Sequence, residues 1–315
     1  MLFIESHETD PYFNLALEEY LFFQKKEEIF MLWQNSSSII IGKNQNAMAE
    51  IDYSYVTQHA IPVVRRLTGG GAVYHDLGNL NFTYIVNREG FGDYVGFTKT
   101  LRDFLETQGL SAHVSGRNDV LVGDKKISGN AQFSHHGRLL HHGTILIEAD
   151  MRHLGRALKP DEEKIRSKGV KSVQSRVMNL SDYLPYGADG FRHAFTAFVL
   201  KNESVVPYTL TAEDIKAVSR LCAEKYNTYE WNFGYSPRYS FHTKKRFSGG
   251  GVEVYMDIQD GIIRNVKIFG DFLGDAAPLE EQLCGIAHTV EAVKVALADV
   301  QLGTINEQEL LSCFF

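Results

Sequence analysis

Cysteine is scarce in this chain: Cys222, Cys284 and Cys313 are far apart and odd in number. That excludes a disulfide framework as the basis of the fold and points to a reducing, cytoplasmic compartment. No apolar run reaches membrane-spanning length. The first residues, Met-Leu-Phe-Ile-Glu-Ser-His-Glu, lack the basic start and long apolar core of a signal peptide. Neither a membrane nor an export route is therefore expected. Basic residues are not in excess. A formal charge of −7 argues against a broad nucleic-acid-binding surface, while leaving room for a local basic cleft. Low-complexity segments are missing, as are a helical His-x-x-x-His and a Cys-rich metal motif.

What is present is ordinary globular composition, 44% apolar and 23% charged, over 315 residues. That length suits one large domain and a smaller one. The boundaries read as 1–236 and 240–315, because the texture changes around Gly234-Tyr-Ser-Pro237. Thr9-Asp10-Pro11 opens a first helix with a capping residue followed by proline. Its apolar face runs from Phe13 to Phe23, and Glu18 and Glu19 are assigned to a solvated side. Phe30–Trp33 and Ser38–Ile41 read as strands, and residues 44–58 as helical. Several short strands with close turns lie between Ala112 and Ile147, which indicates a mixed or antiparallel sheet rather than a doubly wound one. In the second part, Phe241–Phe247, Val252–Ile258 and Ile262–Phe269 read as three strands, with Asp260-Gly261 as a hairpin turn.

The most informative stretch is Arg65-Arg66-Leu-Thr68-Gly69-Gly70-Gly71-Ala72-Val73-Tyr74-His75-Asp76. Glycine backbone can take positive φ and approach a ligand closely, and its amides can converge on an anion. The arginines add fixed charge and forked donors. No Gly-Lys-Ser/Thr follows, so this is not a Walker loop, and a strand rather than a helix comes next, so it is not a dinucleotide fingerprint. A flexible hairpin satisfies the same letters. Lys245-Arg-Phe-Ser-Gly-Gly-Gly251 echoes the stretch but lacks the trailing His-Asp, and reads as a hairpin bulge.

Four further stretches carry polar chemistry. Asn118-Asp119 stands ahead of a strand, where Asp119 suits either a turn or a Mg²⁺ that screens phosphate. Gly123-Asp-Lys-Lys-Ile-Ser-Gly-Asn130 is a turn into a strand. Lys125 and Lys126 there point to opposite faces, one to solvent and one to the working surface. His135, His136, His141 and His142 split between the faces of their strands and line a pocket or sit on the surface. Lys168 to Arg176 reads as a solvated basic loop or as a lid over an anionic intermediate.

Taken in order, these motifs resemble the lipoate–protein ligase A family. The match rests on the Arg65–Asp76 stretch with Gly78-Asn79, on Asn118-Asp119, on Gly123 to Gly129, on His141-His142-Gly143-Thr144 and on Lys168 to Val177. Glu230-Trp-Asn-Phe-Gly234 and the three strands after it are similar to the accessory C-terminal domain. The resemblance implies an α/β (α+β) catalytic domain of the biotin/lipoate-ligase type. Its sheet is mixed and largely antiparallel with flanking helices, and a small α+β domain follows. It implies ATP, Mg²⁺ and lipoate as ligands, lipoyl-AMP as intermediate, and acceptor lysines on lipoyl domains such as 2-oxoacid dehydrogenase E2 subunits and glycine cleavage H protein.

By the same resemblance, ATP falls on Arg66, Gly71, Ala72, Val73, Tyr74 and Lys126, and lipoate on Lys126, Gly69, Gly70 and His142. Metal or ribose falls on Asn118 and Asp119, and the lid on Lys168 and Arg176. Lys126 is the catalytic group, an electrostatic stabiliser rather than a nucleophile. Two alternatives stand beside this reading. One is an octanoyl or lipoyl transferase using a cysteine thioester, disfavoured because every cysteine lies beyond residue 220. The other is a non-catalytic acyl or nucleotide binder. The Gly-Arg-Gly-Arg-x-Gly loop of biotin ligases is absent.

Overall fold

The computed structural model describes residues 1–88, 90–116, 118–150, 152, 156–158, 177–298, 300 and 302–315. The expected lid residues Lys168 and Arg176 lie outside the described residues. The chain divides into two compact units. One comprises residues 1–43 and 60–227, and the other residues 44–59 and 228–315.

The first unit is built on strands β1 (Leu2–Glu5), β2 (Ile29–Trp33), β3 (Ser38–Ile41), β4 (Val63–Arg65), β5 (Val73–His75), β6 (Asn79–Val86), β7 (Ala112–Ser115), β8 (Asp119–Val122), β9 (Lys125–His135), β10 (Arg138–Leu146) and β11 (Val206–Pro207). Eight of these form one sheet in the order β11-β1-β2-β6-β10-β9-β8-β7. The pairs β11–β1 and β1–β2 are parallel and the rest antiparallel, so the sheet is mixed and largely antiparallel. The short strands expected between Lys126 and Ile147 are two long ones, β9 and β10. They close through His136 and Gly137, both at positive φ.

Alternation along β6 decides what each face of this sheet does. Leu80, Phe82 and Tyr84 enter the main apolar core with Phe104, Ile145, Phe191 and Phe195. Asn79, Asn81 and Thr83 project to the opposite face, because successive side chains on a strand alternate. That second face is buried as well: Asn79, Asn81 and Thr83 are each at most 1% exposed.

Helix α1 (Pro11–Gln24) packs on β6. Asp10 caps it by accepting from the Tyr12 amide, with Pro11 in the first turn. Glu18 and Glu19 are not solvated, contrary to the expectation from the sequence. Glu18 is 1% exposed, and Glu19 accepts from Lys225 Nζ at 2.7 Å and from the Tyr226 hydroxyl at 2.6 Å. The reason is that α1 is enclosed, by the sheet on one side and by residues 212–226 on the other. Asp214 adds a second anchor. It accepts from the Tyr20 and Tyr208 hydroxyls at 2.6 Å each and pairs with Lys25 at 2.8 Å.

The second unit contains β12 (Tyr239–Phe247), β13 (Gly250–Gln259) and β14 (Ile262–Gly270), an antiparallel sheet in that order. Its core joins Val252, Val254, Ile258 and Ile263 to Leu279, Leu283, Val293 and Leu310 from three helices. Asp260 and Gly261, both at positive φ, make the β13–β14 turn, and the echo stretch runs through the β12–β13 turn, as the sequence indicated. Residues 44–58 form two short helices, Ala47–Glu50 and Tyr53–Gln58. They belong to this unit: Tyr53 stacks on Phe315 at 4.8 Å and the Ala47 amide donates to Ser236 Oγ.

The Asp214 cluster yields a pH-dependent prediction. Burial pushes the Asp214 carboxyl up, but hydrogen bonds from Lys25, Tyr20, Tyr208 and the Thr211 amide outweigh it and hold the group well below the usual carboxylate range. A depressed folded value adds stability above the unfolded value and loses it as pH falls towards the folded one. Asp214→Asn should therefore lower the urea unfolding free energy by roughly 3 kcal/mol at neutral pH. The gap to wild type should narrow once the pH drops below about 4. A gap that stays constant down to acid pH would remove the assigned role of this carboxylate.

Candidate active site

Strands β3, β4 and β5 form a small sheet of their own in the order β4-β3-β5, with β4 parallel and β5 antiparallel to β3. The triple-glycine stretch thus joins two strands that do not pair with each other, so it is not a hairpin. It crosses the end of β3 at Gly42. A Cβ added at Gly42 would lie 2.1 Å from the Gly70 carbonyl oxygen, so only glycine lets the loop come this near. Within the loop, Gly70 is the glycine at positive φ (+97°), while Gly69 and Gly71 face open space.

Arg66 holds this bend from inside. It is 6% exposed, and its guanidinium makes four hydrogen bonds: Nε to Thr68 Oγ1 (2.8 Å), one terminal nitrogen to the Ile40 carbonyl (3.0 Å), and the other to the carbonyls of Gly69 (2.7 Å) and Gly71 (2.9 Å). With the carbonyls of Gly69 and Gly71 turned inward to the arginine, the loop is fixed without a capping helix. Burial pulls the guanidinium down to about 10, opposed by the nearby Glu18 charge, so Arg66 is still cationic at neutral pH. Arg65 is fully buried and donates to the carbonyls of Gly42 and Lys43.

Beneath the loop is a cavity of about 200 Å³. Its floor is a polar row across the large sheet. Trp33 on β2 pairs with Asn81 on β6, Asn81 with Thr144 on β10, and Thr144 Oγ1 accepts from the Gly129 amide on β9 at 3.2 Å. Gly129 faces Asp119 on β8. A bulge between β8 and β9 turns the Lys126 side chain over Gly129, where an added Cβ would sit 2.9 Å from its Nζ. Lys126 Nζ also pairs with Asp119 at 2.7 Å.

The cavity lining brings together Arg66, Gly70, Gly71, Ala72, Val73, Asn118, Lys126 and His142 from the sequence analysis. Gly69, Tyr74 and Asp119 do not line it. Gly69 turns its carbonyl to Arg66, the Tyr74 hydroxyl donates to Ser37, and Asp119 stands behind Lys126.

Leu15, Trp33, Ile40, His75, Asn81 and Thr144 line the cavity without having been assigned to ligand beforehand. Two of them present unsatisfied groups: His75 Nε2 and Asn81 Nδ2 are buried without a hydrogen-bond partner among the described residues. Asn35 Nδ2 donates to His75 Nδ1 at 3.1 Å, which leaves the ring proton on Nε2. Burial, with the nearby Arg66 charge, drives His75 down to about 3, so it is a neutral donor. The strict polar–apolar alternation Asn-Leu-Asn-Phe-Thr-Tyr was the signal available for Asn81. Trp33 looked like any core aromatic.

Residues 10–199 match the lipoyl protein ligase A/B catalytic domain family, and residues 236–314 match the bacterial lipoate protein ligase C-terminus family. Lipoate–protein ligase 1 of Staphylococcus aureus is 40% identical, over 99% of this chain and 99% of that protein. The chain belongs to the lipoate–protein ligase family. Among solved structures, the bipartite lipoate protein ligase of Thermoplasma acidophilum, studied with its E2 lipoyl domain, is 32% identical with a TM-score of 0.64, over 74% of this chain and 96% of that one. A lipoate-protein ligase A bound with ATP is 28% identical with a TM-score of 0.63, over 74% and 98%. The match to this family spans both units, which agrees with the fold expected from the sequence.

Gly42 gives the site's own prediction. Gly42→Ala should push Gly70 out of place and lower kcat/KM for ATP on the order of 100-fold, with little change in circular dichroism. Wild-type ATP dependence in that variant would make the Gly42–Gly70 approach incidental.

Proposed function

We propose that this cavity binds lipoate with ATP, forms lipoyl-AMP and transfers the lipoyl group to a lysine of an acceptor lipoyl domain. The observation that carries the reading is the convergence of one ammonium, a glycine bend and two unsatisfied donors on a single cavity, in a chain of this family. In the first step a lipoate carboxylate oxygen attacks the α-phosphorus and the bond to pyrophosphate breaks. Negative charge grows on the α-phosphate oxygens, and Lys126 with the loop amides stabilises it. Arg66 contributes its charge mainly from behind the loop, since four of its five N–H groups are held by Thr68 and by loop and strand carbonyls.

In the second step the acceptor amine attacks the acyl carbonyl and the C–O bond to phosphate breaks. AMP leaves and the amine sheds a proton. Lys126 again stabilises the developing oxyanion. Its pairing with Asp119 keeps it oriented between steps. Mg²⁺ binds through one or two carboxylates plus substrate phosphates, and Asp119 is a carboxylate of that kind. Mg²⁺ held there would neutralise phosphate charge. His75 and Asn81 supply donors to an oxygen of the ligand. We assign the acceptors to lipoyl-domain proteins and the location to the cytoplasm, where three free thiols are at home. No helix among the described residues is long and apolar enough to cross a membrane.

The thioester route gains no support. None of Cys222, Cys284 and Cys313 lines the cavity. Burial raises the Cys222 thiol and pushes Cys313 up to about 11, away from the thiolate form a nucleophile needs.

Lipoate-dependent exchange of labelled pyrophosphate into ATP tests the first step, and mass shift of a lipoyl domain tests the second. Lys126→Ala should cut both by at least about 100-fold while the protein stays folded. Near wild-type lipoylation by that variant would falsify the role given to this amine, and wild-type protein with no exchange would favour a non-catalytic binder.

A further inference from the structure

Glu18 does not line the cavity, yet it is buried and collects two hydrogen-bond chains. In the shorter chain Trp33 Nε1 donates to Thr83 Oγ1 at 2.9 Å, and Thr83 donates to Glu18 Oε1 at 2.8 Å. In the longer chain Arg66 Nε donates to Thr68 Oγ1, which lies 2.8 Å from His142 Nε2. His142 Nδ1 lies 2.9 and 3.1 Å from the two Glu18 oxygens. A guanidinium can only donate and an ionised carboxylate can only accept, so the two ends of the longer chain have fixed directions. Thr68 accepts from Arg66 Nε, and His142 turns a protonated Nδ1 to Glu18 and its Nε2 to Thr68 Oγ1.

We infer that Glu18 is a positioning residue for adenylation, holding Arg66 and through it the glycine bend by way of His142 and Thr68. This rests on the glycine bend being the adenylate cradle of the proposed function. The physical reason is ring orientation. Thr68 Oγ1 is the acceptor for Arg66 Nε. The two contacts of Glu18 with His142 Nδ1 hold the ring with Nε2 against that hydroxyl. Without them the ring turns, Thr68 Oγ1 is released to rotate, and Arg66 loses the bond that sets the aim of the nitrogen shared by the carbonyls of Gly69 and Gly71. Nothing in the chemistry of α1 as a packing helix requires a carboxylate at this position, since Leu15, Leu17 and Leu21 supply its apolar burial.

The test uses full-length protein with ¹⁵N-labelled histidine, in wild type, Glu18→Gln and Glu18→Met, with His142→Gln to assign the His142 ring signals. Wild type should show a ring protonated on Nδ1. Glu18→Gln retains an acceptor and should keep that proton and most of the exchange activity. Glu18→Met should lose the Nδ1 preference and lower the kcat of pyrophosphate exchange on the order of 100-fold, with KM for lipoate little changed. A ring protonated on Nε2 alone in wild type overturns the inference, and that readout stands even if Glu18→Met does not fold. So does full kcat in Glu18→Met, or a loss in Glu18→Gln equal to that in Glu18→Met. Wild type without lipoate-dependent exchange would instead fail the proposed function, and the tautomer would then decide the chain by itself.

Discussion

One buried cation organises this molecule's site. Arg66 directly follows β4 and, among the described residues, has no carboxylate touching it; it is held by Thr68 and by backbone carbonyls of the loop and of β3. That arrangement is costly unless the donors find acceptors. Four of the five N–H groups do, and Glu18 stands two hydrogen-bonded residues away. A loop that would otherwise be floppy is given one shape by a side chain beneath it. Glycine at 70 permits the bend, glycine at 42 permits the approach, and arginine makes the bend unique.

The same constraint explains the unusual second face of the large sheet. Most sheets of this size bury apolar side chains on both covered faces. Here Asn79, Asn81, Thr83, His142 and Thr144 sit on the covered face opposite the main core. Buried polar groups need partners, and among the described residues Asn79 Oδ1, Asn81 Nδ2 and His75 Nε2 have none, the last two on cavity-lining residues. Unsatisfied donors at a cavity suit an anionic, partly apolar molecule. Trp33, Leu15 and Ile40 add an apolar wall, which suits the acyl chain of the proposed ligand.

Much of this was legible from residue order alone. The capping of α1 at Asp10, the three strands of the second unit, the Asp260-Gly261 turn and the importance of the Arg65–Asp76 stretch follow from local rules that tertiary packing did not disturb. Strand alternation predicts opposite orientations for Lys125 and Lys126 but does not foresee the bulge that turns Lys126 over Gly129. Glu18 and Glu19 were misplaced because helical periodicity reports an apolar face and is blind to a polar residue buried by a partner distant in sequence, His142 in one case and Lys225 in the other.

The chain by itself determined which residues are charged, which backbone positions can bend and which strands alternate, because those properties depend on a residue and its near neighbours. Only the tertiary structure decided that the glycine stretch joins two strands across a third, that residues 44–59 pack with the second unit, and that a chain of contacts runs from Arg66 through Thr68 and His142 to Glu18. Those facts depend on pairs of residues far apart in the chain, some by 124 and 189 positions. Contacts of that span are fixed by which buried donors find acceptors once the sheet has closed, and no local pattern encodes them.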